Sequence, residues 1–420
     1  MKLTDDKLRM AIGKYSTPLY IFDEDELLTR FDYFREYLGK DIGLTFCMKT
    51  NPFLTKVSLA EAERIEVCSD GEFRLCRDLA IPPERLLISG VLKREGDLRE
   101  IIHYGTDKAI YTAESESQLK LLNQIASEQG YKLSLLLRLT SGNQFGMDEE
   151  TILQLIRQKE NFTHLEFVGI HFFSGTQKHR IAKHRKELEK LDAFFERIEE
   201  ETGVYVPMLE YGTGFGVPYF DGQKEDVTSS ESLIEFRKML TNMKWKAKIT
   251  LEMGRALAYQ CGSYITKVCD VKKNDGKNYV IVNGGIHQLH YDGQIRGMYL
   301  PEIQHLRNSA RDAKNDFRDN ICDSVKNNPE DDFKESQHYT ICGSLCTVND
   351  IITADYVSSE IRSGDYLVFG KSGAYSVYEG MSLFLSHELP GVVLYSEAKG
   401  FREARKQQQT YRLNMPNVSE

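Results

Sequence analysis

Between about residues 42 and 260, short runs of apolar residues alternate with longer segments whose apolar positions recur at helical spacing. The runs are IGLTFCM (42–48), RIEVCS (64–69), RLLISGV (85–91), KAIYTA (108–113), LSLLLRLT (133–140), FVGIHFF (167–173), PMLEYG (207–212) and KITLEMG (248–254). Between them lie segments such as ESESQLKLLNQIASEQG (114–130) and HRKELEKLDAFFERIEEETG (184–203). Continuous apolar runs of this length suit strands buried on both faces, and amphipathic stretches suit the helices that cover them. Eight strands with intervening helices predict a parallel (β/α)8 barrel of the TIM type over residues 25–262.

After residue 262 the pattern changes. GSYITKVCDVKK (262–273), KNYVIVNGG (277–285), QHYTICGSLC (337–346), GDYLVFG (364–370) and GVVLYSEAKGF (391–401) are strand-like and punctuated by turns, without helices of similar length between them. They predict a C-terminal β-rich domain, a sandwich or barrel, over 263–400. TPLYIF (17–22) is also strand-like, so residues 1–24 are expected to join that domain. The polar stretch 307–337 is expected to be a surface excursion, and 401–420 a polar tail.

A chain of 420 residues has room for a large barrel and a second unit. Its formal charge of −9 and lack of a basic tract argue against a nucleic-acid partner. No apolar stretch has the length of a membrane span, and MKLTDDKLRM lacks the apolar core of a signal peptide. The eight cysteines show no framework spacing, and Cys47, Cys68 and Cys342 lie in apolar runs. Reduced thiols and a cytoplasmic location are expected. Cys342 and Cys346 share a segment without a second pair, and His179/His184 and His287/His290 lack accompanying ligands, so no metal site is expected.

In such barrels reactive groups gather at the carboxyl ends of the strands, where the loops surround the open mouth. The first run ends in Lys49, the second in Ser69–Asp70, and the third in Ser89–Gly90. The sixth runs into HFFSGTQ with His171 and Ser174, the seventh into YGTGFGVPY, and the eighth into EMGR with Glu252 and Arg255. A lysine ending a buried strand is either a surface residue or an amine held at a pocket's mouth. Any one of these residues is easily bland; their shared placement is less so.

Gly212, Gly214 and Gly216 permit backbone conformations closed to other residues and let amides approach a ligand. Such a turn can seat a phosphate, although a tight barrel turn alone would explain it, and its spacing is neither the dinucleotide fingerprint nor the P-loop. Together, an amine, a phosphate seat, a carboxylate and an imidazole around one mouth are the set that pyridoxal 5′-phosphate requires. Its aldehyde takes a lysine, its phosphate takes amide donors, its ring nitrogen takes an acid, and its flat ring takes a face.

Lys49 in FCMKTN resembles the cofactor lysine of the alanine-racemase-like, fold-type III enzymes. HFFSGTQ, GTGFGVPY, EMGR, CGSLCTVND and SGAY follow in the order of the diaminopimelate and ornithine decarboxylase branch of that superfamily. The resemblance covers nearly the whole chain except 307–337 and the segment after about 400. It implies that Lys49 holds the cofactor covalently and that His171 stacks on its ring. Ser174, Gly212, Gly214, Gly216, Gly254 and Arg255 would surround the phosphate or ring, with Tyr375 reaching the phosphate. Glu252 would bind the pyridine nitrogen and keep it protonated, which favours decarboxylation over racemisation, because the racemases of this fold resemble it except for an arginine there. Cys346 resembles the cysteine that enters the site from a partner subunit and handles the proton at Cα, implying a homodimer with shared sites.

The same resemblance bears on the substrate, a small-molecule amino-acid compound. In diaminopimelate decarboxylases a glutamate follows the cysteine and grips a distal ammonium; here Thr347 follows Cys346. The carboxylate clamp is altered too, with Arg296 and Tyr299 at approximate positions. NGGIHQLH, GSLCTVNDII, SGAYSVYEG, LFLSHELP, NQFGMDEE and FGVPYF are more similar to a subgroup acting on amino acids tied to an acyl carrier protein, the carrier-linked glutamyl decarboxylase type of butirosin biosynthesis. KHRIAKHRKELEK (178–190) would offer a basic helix to an acidic carrier, or be an ordinary solvated face. The alternatives are a decarboxylase of a free amino acid (diaminopimelate, ornithine or a siderophore precursor), a non-catalytic binding homologue, and a racemase.

Overall fold

The eight barrel runs become strands because each is hydrogen-bonded to a neighbour on both edges and is buried over most of its length. The computed structural model describes residues 3–223, 226–308 and 336–416. The strands are β1 Leu19–Asp23, β2 Gly43–Cys47, β3 Arg64–Val67, β4 Leu86–Ile88, β5 Ile110–Ala113, β6 Leu133–Leu139, β7 Leu165–Phe173, β8 Met208–Gly212 and β9 Lys248–Met253. They continue with β10 Gly262–Asn274, β11 Lys277–Val282, β12 Ile303–Leu306, β13 Gln337–Cys342, β14 Ile351–Ser358, β15 Tyr366–Phe369, β16 Gly391–Ser396 and β17 Gly400–Arg405. The helices are α1 Asp5–Lys14, α2 Glu24–Leu38, α3 Thr55–Ser58, α4 Asp70–Asp78, α5 Glu95–Gly105, α6 Glu116–Gln129, α7 Glu149–Arg157, α8 Ile181–Thr202, α9 Ser230–Asn242 and α10 Arg255–Ala258. Among the described residues no helix is long and apolar enough to cross a membrane.

The chain divides into two compact units: Leu27–Pro218 with Lys224–Ala258, and Met1–Glu26 with Tyr219–Gln223 and Tyr259–Glu420. In the first, β2 to β9 close a barrel in chain order, every pair parallel. Its covering helices start on polar caps placed by sequence. Ser69, Ser115, Asp148 and Ser229 each accept a backbone N–H of the first turn of α4, α6, α7 and α9. Gly130 and Gly203, in left-handed conformation, end α6 and α8. Inside the barrel, Leu87, Ile110 and Leu136 form one apolar cluster with Val168 and Met208 against it. Further along the strands the buried residues turn polar: Glu66, Ser89, Glu114, Arg138, His171, Glu210 and Glu252.

In the second unit the sheet runs β14-β13-β11-β10-β1-β16-β17, with β15 pairing both β10 and β12. The early strand β1 lies antiparallel to β10 and parallel to β16. The polar tail expected from 401 is corrected in part: β17 pairs antiparallel with β16, and Phe401 packs against Tyr395 at 4.7 Å between ring centroids. An edge strand needs one apolar contact rather than an apolar run, so FREAR did not advertise itself. Residues 309–335 of the polar stretch expected over 307–337 lie outside the described residues.

Candidate active site

Strand β2 ends at Cys47, and a single turn of 3-10 helix (Met48–Thr50) carries Lys49 off its carboxyl end. There the Lys49 Nζ lies 2.6 Å from Glu66 Oε2 and 3.3 Å from Cys68 Sγ. A cation directly after a buried strand is accommodated here because β3 supplies a buried anion beside it. Glu66 Oε1 also accepts the Ser89 hydroxyl at 2.8 Å and the Cys68 thiol at 3.1 Å. Burial alone would raise the Glu66 carboxyl, but the Lys49 ammonium and the Cys47 thiol hold it well below the usual carboxylate range. Burial and the Glu66 charge push the Cys68 thiol up to about 12, so it stays protonated beside the lysine. Cys47, Glu66 and Glu252 bring a thiol and two carboxylates within 4.8 Å of one another, a grouping not anticipated from spacing along the chain.

On β9, the strand that pairs with β2, Glu252 Oε2 accepts His171 Nε2 of β7 at 3.1 Å. Both are buried, and the remaining Glu252 Oε1 and His171 Nδ1 have no hydrogen-bond partner among the described residues. Glu210 of β8 pairs in register with His171 and accepts the hydroxyl of Thr45 on β2, one strand beyond β9, at 2.7 Å. Burial, then the charge of Glu252, pushes the Glu210 carboxyl well above its ordinary value, so it keeps its proton.

The glycine turn follows β8. A Cβ on Gly212 would lie 2.5 Å from the Phe173 ring, and one on Gly214, which has φ +57°, would lie 2.0 Å from the Gly175 carbonyl oxygen. Lys178 N–H donates to the Gly214 carbonyl at 2.9 Å, and Gly216 N–H donates to the Lys178 carbonyl at 3.0 Å. The N–H groups of Gly214 and Phe215 have no partner among the described residues. On the neighbouring strand, a Cβ on Gly254 would lie 1.8 Å from Thr50 Oγ1, and the buried Arg255 opens α10. Lys49, His171, Gly212, Gly214, Gly216, Glu252, Gly254 and Arg255 therefore all belong to the carboxyl end of one barrel.

Two expected roles meet a different geometry. The Ser174 hydroxyl donates to Glu187 Oε1 at 2.6 Å and accepts from Lys178 Nζ at 3.1 Å, so it is committed to side chains of the protein rather than offered to a phosphate. The His171 ring is only 1% exposed and its edge is bound to Glu252, whereas the half-buried ring that ends β7 at the rim is Phe173. Strand alternation was the signal for Phe173: it faces the same way as His171, one step closer to the mouth. The same signal marks Glu66 and Glu210, charged residues inside otherwise apolar runs.

The other expected site residues lie in the second unit. Cys346 is exposed on a loop that the buried Asp350 holds, its carboxylate accepting Ile286 N–H at 2.9 Å and Leu345 N–H at 2.8 Å. Thr347 Oγ1 accepts Asn349 N–H at 3.3 Å. Arg296 is exposed with φ +47°, Tyr299 stacks on Phe220 at 5.1 Å, and Tyr375, at φ +65°, accepts the N–H groups of Tyr378 and Glu379.

The barrel residues fit pyridoxal 5′-phosphate. The fit rests on an amine at the mouth, two unpartnered amides on a turn too tight for a Cβ, and a buried carboxylate oxygen without a donor. The comparisons agree. The family described as pyridoxal-dependent decarboxylase, pyridoxal binding domain, matches residues 24–259. The diaminopimelate decarboxylase of Aquifex aeolicus is 27% identical over 387 residues, 88% of this chain and 84% of the relative. The L-glutamyl-[BtrI acyl-carrier protein] decarboxylase of Niallia circulans is 24% identical over 416 residues, 94% of this chain and 92% of the relative. The crystal structure of diaminopimelate decarboxylase from Helicobacter pylori complexed with L-lysine shares the fold, with a TM-score of 0.80 at 20% identity over 97% of this chain and 99% of that one. With more than half of its length matched, the chain belongs to the pyridoxal-dependent decarboxylases and is an amino-acid carboxy-lyase that uses pyridoxal 5′-phosphate.

Proposed function

We propose that the enzyme removes the α-carboxylate of an amino acid whose distal end is tied to an acyl carrier protein, as a glutamyl thioester would be. The observation that carries this reading is Thr347 directly after Cys346: a hydroxyl cannot balance a distal ammonium, while an uncharged thioester needs no counter-ion there. The near full-length match to a carrier-linked glutamyl decarboxylase supports it. A second reading, decarboxylation of a free diamino acid, is favoured by the diaminopimelate decarboxylase relative at 27% identity. Carbon dioxide release from a glutamyl-carrier, set against free diaminopimelate, ornithine, lysine and glutamate, separates the two. Turnover of the carrier-bound substrate alone is expected, and turnover of a free diamino acid alone would replace this reading with the second.

When bound, the cofactor supplies an electron sink for the charge left at Cα as carbon dioxide departs. In this reading Lys49 would hold it covalently, the Gly214 and Phe215 amides with the Gly254–Arg255 turn would take its phosphate, and Glu252 would take its ring nitrogen. His171 acts through Glu252 as a positioning residue, and Phe173 rather than His171 offers the ring a face. Cys346 delivers a proton to Cα in a second copy of the chain, with Tyr375, Arg296, Tyr299 and Thr347 serving phosphate and substrate. Mixing Lys49→Ala with Cys346→Ala protein regenerates activity if two copies share their sites, and regenerates none if each copy works alone.

The basic stretch 178–190 is a weaker dock than its composition suggests. Lys178 and His184 are buried, Arg185 pairs with Glu235 at 2.8 Å, and Lys190 lies 3.4 Å from Glu149. Arg180, Lys183 and Lys186 are exposed with no carboxylate within salt-bridge distance among the described residues. These three are the proposed contact for an acidic carrier.

A further inference from the structure

We propose that a buried ion pair beneath the glycine turn, Lys178–Glu187, fixes the shape in which that turn holds the cofactor's phosphate, which makes Lys178 a positioning residue. This rests on the reading that the 212–216 turn seats the phosphate.

Three side chains, two from the loop after β7 and one from β8, converge on the carboxylate of Glu187 in α8. Glu187 Oε1 accepts Ser174 Oγ at 2.6 Å, Glu187 Oε2 accepts Lys178 Nζ at 2.8 Å, and the Tyr211 hydroxyl donates to the same oxygen. Lys178 Nζ also reaches Ser174 Oγ at 3.1 Å and lies 5.3 Å from the centroid of the Tyr211 ring. Its side chain is 4% exposed and that of Glu187 15%. Removing such a pair from water is unfavourable, and well-packed apolar residues would usually stabilise a barrel wall as well or better. Its presence therefore calls for something other than stability.

The geometry supplies it. The backbone of Lys178 brackets the turn, donating to Gly214 and accepting from Gly216. Its side chain runs directly under the turn: a Cβ on Gly214 would lie 2.8 Å from Lys178 Cε. On either side, Gln177 Oε1 accepts Val217 N–H at 2.9 Å and the His184 ring donates to the Thr213 carbonyl at 2.9 Å. Because the ammonium is tied to α8 through Glu187, the position of the Lys178 chain and that of the Gly214–Phe215 amides are one constraint. Releasing the ammonium frees the chain, and the amides lose their common aim.

The test compares the cofactor with its dephosphorylated form. Full-length protein stripped of cofactor is titrated with pyridoxal 5′-phosphate and with pyridoxal, following absorbance. Lys178→Met and Glu187→Gln are expected to weaken binding of the phosphorylated form about ten- to a hundredfold, with pyridoxal affinity unchanged. An equal loss for both ligands, or no loss for either, overturns the proposal. Should either single variant fail to fold through a stranded charge, Lys178→Met/Glu187→Gln carries the same expectation and the same refutation. Gly214→Ala tests the underlying reading separately. If it spares the preference for the phosphorylated form, the turn is not the phosphate seat; if it abolishes that preference while the Lys178 variants keep it, the seat stands and the clamp falls.

Discussion

On β4, β5 and β6, Leu87, Ile110 and Leu136 fill the amino end of the barrel, whereas two residues further along the same strands stand Ser89, Thr112 and Arg138. Inward positions recur every second residue, so one pleat separates an apolar plug from a polar chamber. The chamber also holds Glu66, Glu210 and Glu252, each buried. Desolvated carboxylates are unfavourable unless paired, and these are paired unequally: Glu66 with Lys49, Glu252 with His171, and Glu210 with a hydroxyl alone. The plug exists for stability and the chamber for chemistry, a division that places reactive groups at the carboxyl ends of barrel strands.

Substitutions at the two ends should therefore fail in opposite ways. The largest effect is expected for Glu252→Ala, which should lower turnover by several orders of magnitude while the cofactor stays bound and the melting temperature moves little. Carbon dioxide release beside the visible spectrum checks this, and a near-normal rate would erase the distinction. Leu136→Ala at the plug should cost about 2 to 5 kcal/mol of stability and leave the rate per folded molecule unchanged, measured by urea denaturation and active-site titration.

The smallest effect comes from Glu210, whose folded-state pKa lies above its unfolded value. The folded chain then binds the extra proton, so its stability falls as pH rises above the ordinary carboxylate range. Glu210→Gln, which imitates the protonated acid, should be more stable than wild type near pH 7, with the gap closing toward about pH 4. Denaturation at both pH values reads the difference. A gap that widens on acidification would reverse the sign.

The eight barrel strands were visible in the chain because a parallel strand covered on both faces must be apolar throughout. Strands β12 and β14 were not, since IQHL and IITADYVS mix polar and apolar residues as edge or half-covered strands do. Lys49, His171 and Glu252 stood out as polar residues at strand ends. The surroundings of Ser174 and of the basic stretch were not legible, because spacing in a loop does not say which way a side chain turns. One residue decides between Ser174 under the turn and Phe173 at the rim, and Lys178, counted as surface charge, is buried. Glu66 and Glu210 were present in RIEVCS and PMLEYG, but only the closed barrel brings them beside Lys49 and Glu252.

The role proposed for every residue of this chamber depends on the amine of Lys49 holding the cofactor there. The most direct measurement is the visible absorbance of purified Lys49→Ala protein after incubation with pyridoxal 5′-phosphate and removal of the excess. Loss of the band seen in wild type is expected. A band of wild-type position and strength in the variant would show the aldehyde joined to another amine, and would contradict the assignment on which every other residue's role depends.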